Sequence, residues 1–259
     1  MKLRKETVAR QRHGRWYNDA CGTAFALELV GERWSLLVVR ELLLGGRRFS
    51  ELRASLPGIS AKALTERLAG LEAAGIVRKS ELEQVPGVKR YELTEWGKRA
   101  EPAILELGRW ATRSLHHDPT LPLSAVSLML SFRTMFDARR AGRRTILGVV
   151  VVGSESFTVR VAGGELAIQR GRADAARFTL TAPNAKTIAS AVYGKVSFAK
   201  LARLKVHGDE AAARTYVGLF HLPEKLAGPP HAAAKARTAR TARTARTART
   251  ARTARISRA

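Results

Sequence analysis

Residues 49–75 contain two short amphipathic segments with only a few residues between them, and this spacing restricts how the chain can fold. We expect Ser50 to cap the first helix and Pro57 to end it, with Gly58 in a tight connection. Ser60 is then placed as the N-cap of the second helix. The apolar side chains expected to face inward are Phe49, Leu52 and Leu56 in the first segment, and Ala61, Leu64, Leu68 and Leu71 in the second.

The flanking sequence supplies further elements in a fixed order. Two helical patterns precede the pair, over residues 24–30 and 34–43. A strand over residues 76–82, a turn over 83–88 and a strand over 89–93 follow it, and Thr94 caps a last helix that Pro102 could kink. This order predicts a winged helix-turn-helix, whose second helix fits the major groove of DNA while the hairpin tip reaches phosphate or the minor groove.

The candidate DNA-binding residues fall into three groups. Ser60, Lys62 and Thr65 alternate with the leucines of the second helix and are expected to face the groove. Phosphate contacts are expected from Lys79, Lys89 and Arg90 on or near the wing, and from Arg47 and Arg48 before the supporting helix. The alternative for each cation is an ordinary solvated surface position, so the order of the elements is stronger evidence than any one residue.

This region contains an ordered series of motifs: Cys21, residues 29–34, 36–37, 40–42, 48–52, 56–60, 64–68 and 71–72, Gly75, residues 91–94 and Gly97. Together they resemble the HxlR family of bacterial winged-helix regulators. The resemblance implies a homodimer on an inverted-repeat operator, with residues 16–29 and 95–113 at the dimer interface. Two-fold symmetry then sets the recognition helices about one DNA turn apart.

Cys21 matches a cysteine that senses oxidants or electrophiles in some members of that family. Such a thiol needs a lowered pKa and exposure, yet Asp19, Ala20 and Gly22 supply no positive charge beside it. Gly22 also stands where relatives usually carry proline. Redox sensing and a merely retained packing residue therefore both stay open.

Two prolines in residues 116–122 indicate a linker, and a second pattern follows it. A helix over residues 127–137 precedes four strands, over residues 145–152, 156–162, 165–169 and 177–181, with the turns at 154–155 and 163–164 favouring antiparallel pairing. Helices are expected over residues 183–193, 197–204 and 209–220. The second domain is therefore predicted to be α+β.

Short motifs in the second domain resemble the sterol-carrier-protein-like fold. They lie at residues 157–161, 178–181, 193–195 and 206–209. That fold commonly encloses an apolar tunnel, so the resemblance implies a hydrophobic small-molecule effector. The candidate pocket residues are Phe132, Phe136, Phe178, Val192 and Phe220, and the alternative is that they simply fill a core.

The formal charge of +24 is weak evidence for nucleic-acid binding, because a large part of it lies in a repetitive C-terminal segment. Residues 235–259 contribute +9, and 238–255 are six tandem Thr-Ala-Arg units whose period of three builds no apolar stripe. We expect a disordered tail there, either a product of repeat slippage or an arm that adds non-specific phosphate contacts. A basic balance is consistent with nucleic acid but does not identify the polyanion.

The sequence thus predicts an α+β chain in five parts. They are a basic arm (1–19), the winged helix-turn-helix domain (20–115), a linker (116–123), the sterol-carrier-like domain (124–228) and a disordered repeat tail (229–259). A cytoplasmic, non-enzymatic regulator without cofactor, metal site or membrane partner is expected, because catalytic and metal motifs, a secretory signal and a membrane-length apolar run are not found in the sequence. The alternative function is a non-specific architectural DNA-binding protein.

Overall fold

The computed structural model describes residues 17–82 and 85–226, which form a mixed α+β structure. Most of the basic arm, two residues of the predicted wing turn and the repeat tail therefore lie outside the described residues.

Four helices open the first domain: α1 (Gly22–Val30), α2 (Ser35–Leu42), α3 (Phe49–Ser55) and α4 (Ala61–Ala73). Ser60 caps α4 as predicted, and its Oγ accepts the backbone N–H of Ala63 at 3.1 Å. The prediction that Ser50 caps α3 was wrong. The helix begins two residues earlier with Arg48 as N-cap, because Glu51 accepts the backbone N–H of Arg48 at 2.8 Å.

The core of the first domain is built by the inward faces of these helices. Leu64, Leu68 and Leu71 of α4 are at most 2% exposed and form one cluster with apolar side chains of α2 and α3. Burying each leucine contributes roughly 1.5–3 kcal/mol, so this stripe fixes which side of α4 faces outward.

The wing consists of β1 (Val77–Leu82) and β2 (Val85–Leu93), paired antiparallel with Val77 opposite Leu93. Two helices replace the single one expected after it, α5 (Glu95–Lys98) and α6 (Glu101–Thr112). The interruption has a local cause: Pro102 stands in the first turn of α6, where its missing N–H costs nothing.

The second domain places three main helices against a five-stranded sheet. Its elements are α7 (Ala125–Met135), α8 (Ala138–Ala141), β3 (Ile146–Val152), β4 (Glu155–Ala162), β5 (Glu165–Arg170), β6 (Phe178–Ala182), α9 (Ala185–Val192), the 3₁₀ helix η1 (Phe198–Lys200), β7 (Lys205–Gly208) and α10 (Glu210–Val217). The sheet order is β5-β4-β3-β6-β7.

The structure adds to the predicted sheet and corrects one predicted helix. The hairpins β3–β4 and β4–β5 are antiparallel as predicted, but β6 pairs with β3 in parallel. The edge strand β7 was not predicted, and the helix expected over residues 197–204 is reduced to η1. Gly148 of β3 allows the parallel contact, since a Cβ there would lie 2.3 Å from Cζ of Phe178.

The two domains are in direct contact. Leu44, just after α2, is buried within the apolar core of the second domain. Glu41 on α2 accepts a hydrogen bond from the Ser124 hydroxyl at 2.7 Å, and Ser124 in turn caps α7 by accepting the N–H of Ser127. The backbone of Leu226 returns to the end of α6 and donates to the Arg113 carbonyl at 2.7 Å.

Candidate nucleic-acid interface

The outer face of α4 is polar and open to solvent. Ser60, Lys62 and Thr65 are exposed, as are Glu66 and Ala69, whereas the leucine stripe lies on the opposite side. The connection that precedes α4 includes Gly58, whose φ of +92° suits glycine and turns the chain sharply after α3. The result is an unobstructed helix of 13 residues, of a width that a DNA major groove admits.

The three predicted cations of the wing have different surroundings. Lys79 Nζ lies 2.7 Å from a carboxylate oxygen of Glu72, and this hydrogen bond raises the pKa of Lys79 and keeps it charged. Arg90 lies 3.3 Å from Glu92 and donates to the Ser80 hydroxyl, while Lys89 is exposed. Lys79 and Arg90 therefore already have partners within the protein.

The neighbouring arginines before α3 are separated by the fold. The Arg48 side chain is 52% exposed and pairs with Glu51 at 2.9 Å. Arg47 is only 6% exposed, and its guanidinium lies 3.2 Å from Glu41 and 3.0 Å from Glu155 of the second domain. Arg48 can reach a phosphate, whereas Arg47 is occupied inside the protein and we leave it out of the DNA-binding set.

Glu41 and Glu155 hold Arg47 in place, and neither of these ion pairs was predicted from the sequence. Glu41 is completely buried on α2 and contacts Arg40, Arg47 and Ser124. Its place at helical spacing after Val38 and beside Leu42 is a signal that could have indicated a buried carboxylate. Glu155 offered no such signal, because its partner Arg47 lies in the other domain.

Large apolar side chains on α1 and α6 are exposed to solvent. Trp110 is 74% exposed, and Phe25, Leu27 and Leu107 are each close to half exposed. None of the residues of α6 is buried. Their exposure makes these side chains candidates for a contact with another protein.

Cys21 is the N-cap of α1 and its side chain is exposed. The nearby backbone N–H groups of Thr23 and Ala24 at the start of α1 lower the pKa of the thiol from its usual 9.0. The position thus combines exposure with a lowered pKa, the two properties of a reactive cysteine.

The predicted pocket residues of the second domain are in contact with one another. The rings of Phe132 and Phe220 stack with centroids 4.6 Å apart, and Phe136 lies 6.1 Å from Phe220. Phe178 contacts Tyr216 at 5.5 Å, and Val192 is fully buried in the same cluster. Within the described part of the chain, the buried hydroxyl of Tyr216 has no hydrogen-bond partner.

Known proteins share this first domain. The model of the HxlR-like helix-turn-helix family matches residues 29–119. The HTH-type regulator YvaP of Bacillus subtilis is 40% identical over 87 residues, which are 34% of this chain and 81% of that protein. The chain belongs to the HxlR-like helix-turn-helix family.

Further relatives from Bacillus subtilis agree with this membership. YybR is 36% identical over 92 residues, covering 36% of this chain and 74% of that protein. The HTH-type transcriptional regulator YodB is 38% identical over 86 residues, covering 33% of this chain and 77% of that protein. The chain is thus related to DNA-binding transcriptional regulators.

Two further findings concern residues 17–82 and 85–226. Across these ranges, no helix has the length and apolar character needed to cross a membrane. The same ranges contain no cluster of three histidine, cysteine or acidic side chains that could hold a metal ion.

Proposed function

We propose that this HxlR-family protein is a homodimeric transcriptional regulator that recognises an inverted-repeat operator. The observation that carries the proposal is the exposed polar face of α4, with Lys62 and Thr65 opposite a fully buried leucine stripe. Lysine suits guanine edges or phosphate, and threonine suits a base edge or the thymine methyl group. Base recognition is therefore assigned to these two side chains.

Phosphate contacts are assigned to residues on either side of α4. Lys89 and Arg48 have exposed side chains, and Arg90 lies on the wing strand β2. Lys79 remains in the set, although its pairing with Glu72 must loosen before it can contact DNA. Such contacts position the protein without reading sequence.

The proposed dimer uses the apolar surface of α1 and α6. Phe25, Leu27, Leu107 and Trp110 would be removed from water if the same surfaces of two protomers met. A two-fold dimer presents two α4 helices to successive major grooves, about 34–36 Å apart. An inverted repeat is the DNA sequence with matching symmetry.

Selection of bound sequences from a random DNA library, followed by footprinting, tests this function. We expect one protected inverted repeat with half-sites about 10 base pairs apart. Absence of any enriched repeat would contradict operator recognition. The alternative is a non-specific architectural protein, and removal of residues 235–259 separates the two: retained sequence preference supports the regulator, while loss of all binding supports the architectural function.

Two regulatory inputs complete the proposal. The exposed Cys21 thiol with its lowered pKa supports control by oxidants or electrophiles. The second domain is proposed to be sterol-carrier-like and to bind a hydrophobic effector. The support is the Tyr216 hydroxyl, which has no partner among the described residues inside an apolar cluster and which a ligand with one polar group would satisfy. Mass spectrometry of compounds extracted from the purified protein tests the hydrophobic effector. An extract that contains no hydrophobic compound would contradict it.

A further inference from the structure

A cleft of about 760 Å³ lies where the first domain, the linker and the second domain meet. We call it the interdomain cleft. Its lining comes from residues 46–48, 51, 54, 55, 57 and 90 of the first domain, residues 122–125 around the linker, and residues 154–156 and 170–171 of the second domain. Small-molecule sites typically measure about 300–1,000 Å³ and occur preferentially between domains.

The walls of the interdomain cleft are rich in guanidinium groups. Four arginines and two glutamates line it, so the lining carries a formal charge of +2. Serine hydroxyls are also present, at positions 55, 124, 154 and 156. Guanidinium groups form two parallel hydrogen bonds with carboxylate or phosphate, and hydroxyls can add single ones. The chemistry of the walls therefore fits an anion.

The four arginines differ in how available they are. Arg47 is held by Glu41 and Glu155 and serves as part of the wall. Arg170 pairs with Glu155, and its guanidinium lies 5.1 Å above the ring of Phe157, yet 31% of its side chain stays exposed. Across the interdomain cleft, Arg48 and Arg90 are 52% and 33% exposed. Arg170 is thus oriented in advance, while the other two can adjust to a ligand.

We propose that the interdomain cleft binds a small organic anion through a carboxylate or phosphate group. Arg170 on one wall and Arg48 and Arg90 on the other hold that group, and the remainder of the ligand lies against Pro57 and Leu123. This site is separate from the aromatic cluster around Phe132, so it does not depend on a hydrophobic effector.

Occupation of the interdomain cleft should weaken DNA binding. Arg48 and Arg90 belong to the phosphate-binding set, so this step rests on the proposed function. A guanidinium group that holds the ligand is not free for a DNA phosphate, and coupling between two binding equilibria is reciprocal. Bound DNA should likewise weaken binding of the anion by the same factor.

Calorimetric titration of the full chain without DNA tests the site directly. The probes are phthalate for dicarboxylates and glucose 6-phosphate for phosphate esters, with dimethyl phthalate and glucose as their neutral counterparts. We expect at least one anion to bind at millimolar concentration or below, and the class that binds identifies the group recognised. If neither anion bound more tightly than its neutral counterpart, the proposal would be overturned.

Two variants locate the binding. Arg170→Gln should lower the affinity for the anion about tenfold, as expected for loss of a charge-assisted hydrogen bond. Arg177→Gln is the matched control, since Arg177 also pairs with one carboxylate, Asp209, but does not line the interdomain cleft. Ser154→Phe adds bulk at an exposed turn without removing charge and should also weaken binding. Unchanged affinity in both Arg170→Gln and Ser154→Phe would show that the anion binds elsewhere.

DNA-binding anisotropy at constant ionic strength tests the coupling. A saturating anion should reduce affinity for the selected operator severalfold, and the neutral counterpart should not. Anion binding with unchanged DNA affinity would disprove the coupling. If the chain bound no DNA at all, the proposed function would be wrong, yet the calorimetry would still decide the site because it contains no DNA.

Discussion

The two domains differ in the solvent exposure of their large aromatic side chains. In the second domain, Phe132, Phe178 and Phe220 are at most 1% exposed and contact other rings. In the first domain, Trp110 and Phe25 stand 74% and 49% exposed at the surface. The second domain therefore completes its own core, whereas the first domain leaves large apolar side chains exposed to solvent. A dimer through α1 and α6 would account for this difference.

The largest effect is expected from opening the core of the second domain. Phe132→Ala should lower the free energy of unfolding by about 3–5 kcal/mol, because it removes a fully buried ring and leaves a cavity. Urea denaturation monitored by circular dichroism measures the change. A loss below about 1 kcal/mol would mean that the cluster collapses around the gap or already contains space for a ligand.

Trp110→Ala tests the other half of the comparison. We expect the dimer dissociation constant to rise about 30-fold, the change that corresponds to about 2 kcal/mol for an aromatic residue at the centre of an interface. Sedimentation equilibrium measures it. Lys186→Ala, at an exposed position of α9, is the control and should leave association unchanged. A monomeric wild-type protein, or an unchanged constant in Trp110→Ala, would exclude this interface.

What could be predicted from the sequence depends on how far apart in the chain the interacting residues lie. The Ser60 cap and the buried Leu64, Leu68 and Leu71 were predicted because caps and helical stripes depend on residues within one or two turns. The parallel pairing of β3 with β6 was not, because it joins strands that are distant in sequence and differs from the neighbouring hairpins. Short-range patterns do not encode such a partner.

Arg47 and Arg48 show the same limit within the candidate site. Both were assigned to phosphate contacts, since adjacent arginines before a helix look equivalent in sequence. The fold buries one against Glu155 of the other domain and leaves its neighbour exposed. Residue types can nominate a contact, but only the packing of the two domains decides which guanidinium group remains available.

A smaller effect is expected at the DNA surface. Lys62→Ala and Thr65→Ala should each lose about 1–3 kcal/mol of discrimination between the operator and variants of it. Lys89→Ala should instead weaken all DNA sequences similarly and reduce the salt dependence of binding by about one counterion. Anisotropy over a series of salt concentrations distinguishes these outcomes. A uniform loss in all three variants would assign α4 to phosphate positioning and not to base recognition.

The smallest structural change is the substitution of Cys21, which tests whether oxidation of its thiol alters DNA binding. The backbone N–H groups of Thr23 and Ala24 lower the pKa of the thiol, so the thiolate fraction at neutral pH exceeds that of an ordinary cysteine. The rate of iodoacetamide labelling should therefore rise with pH around a midpoint below 9.0. Cys21→Ser should bind DNA like the wild type, and peroxide should alter DNA binding only in the wild type. Because Cys21 caps α1, which carries part of the proposed dimer surface, oxidation there would act close to that surface. A thiol that resists labelling, or a peroxide response that persists in Cys21→Ser, would exclude this role.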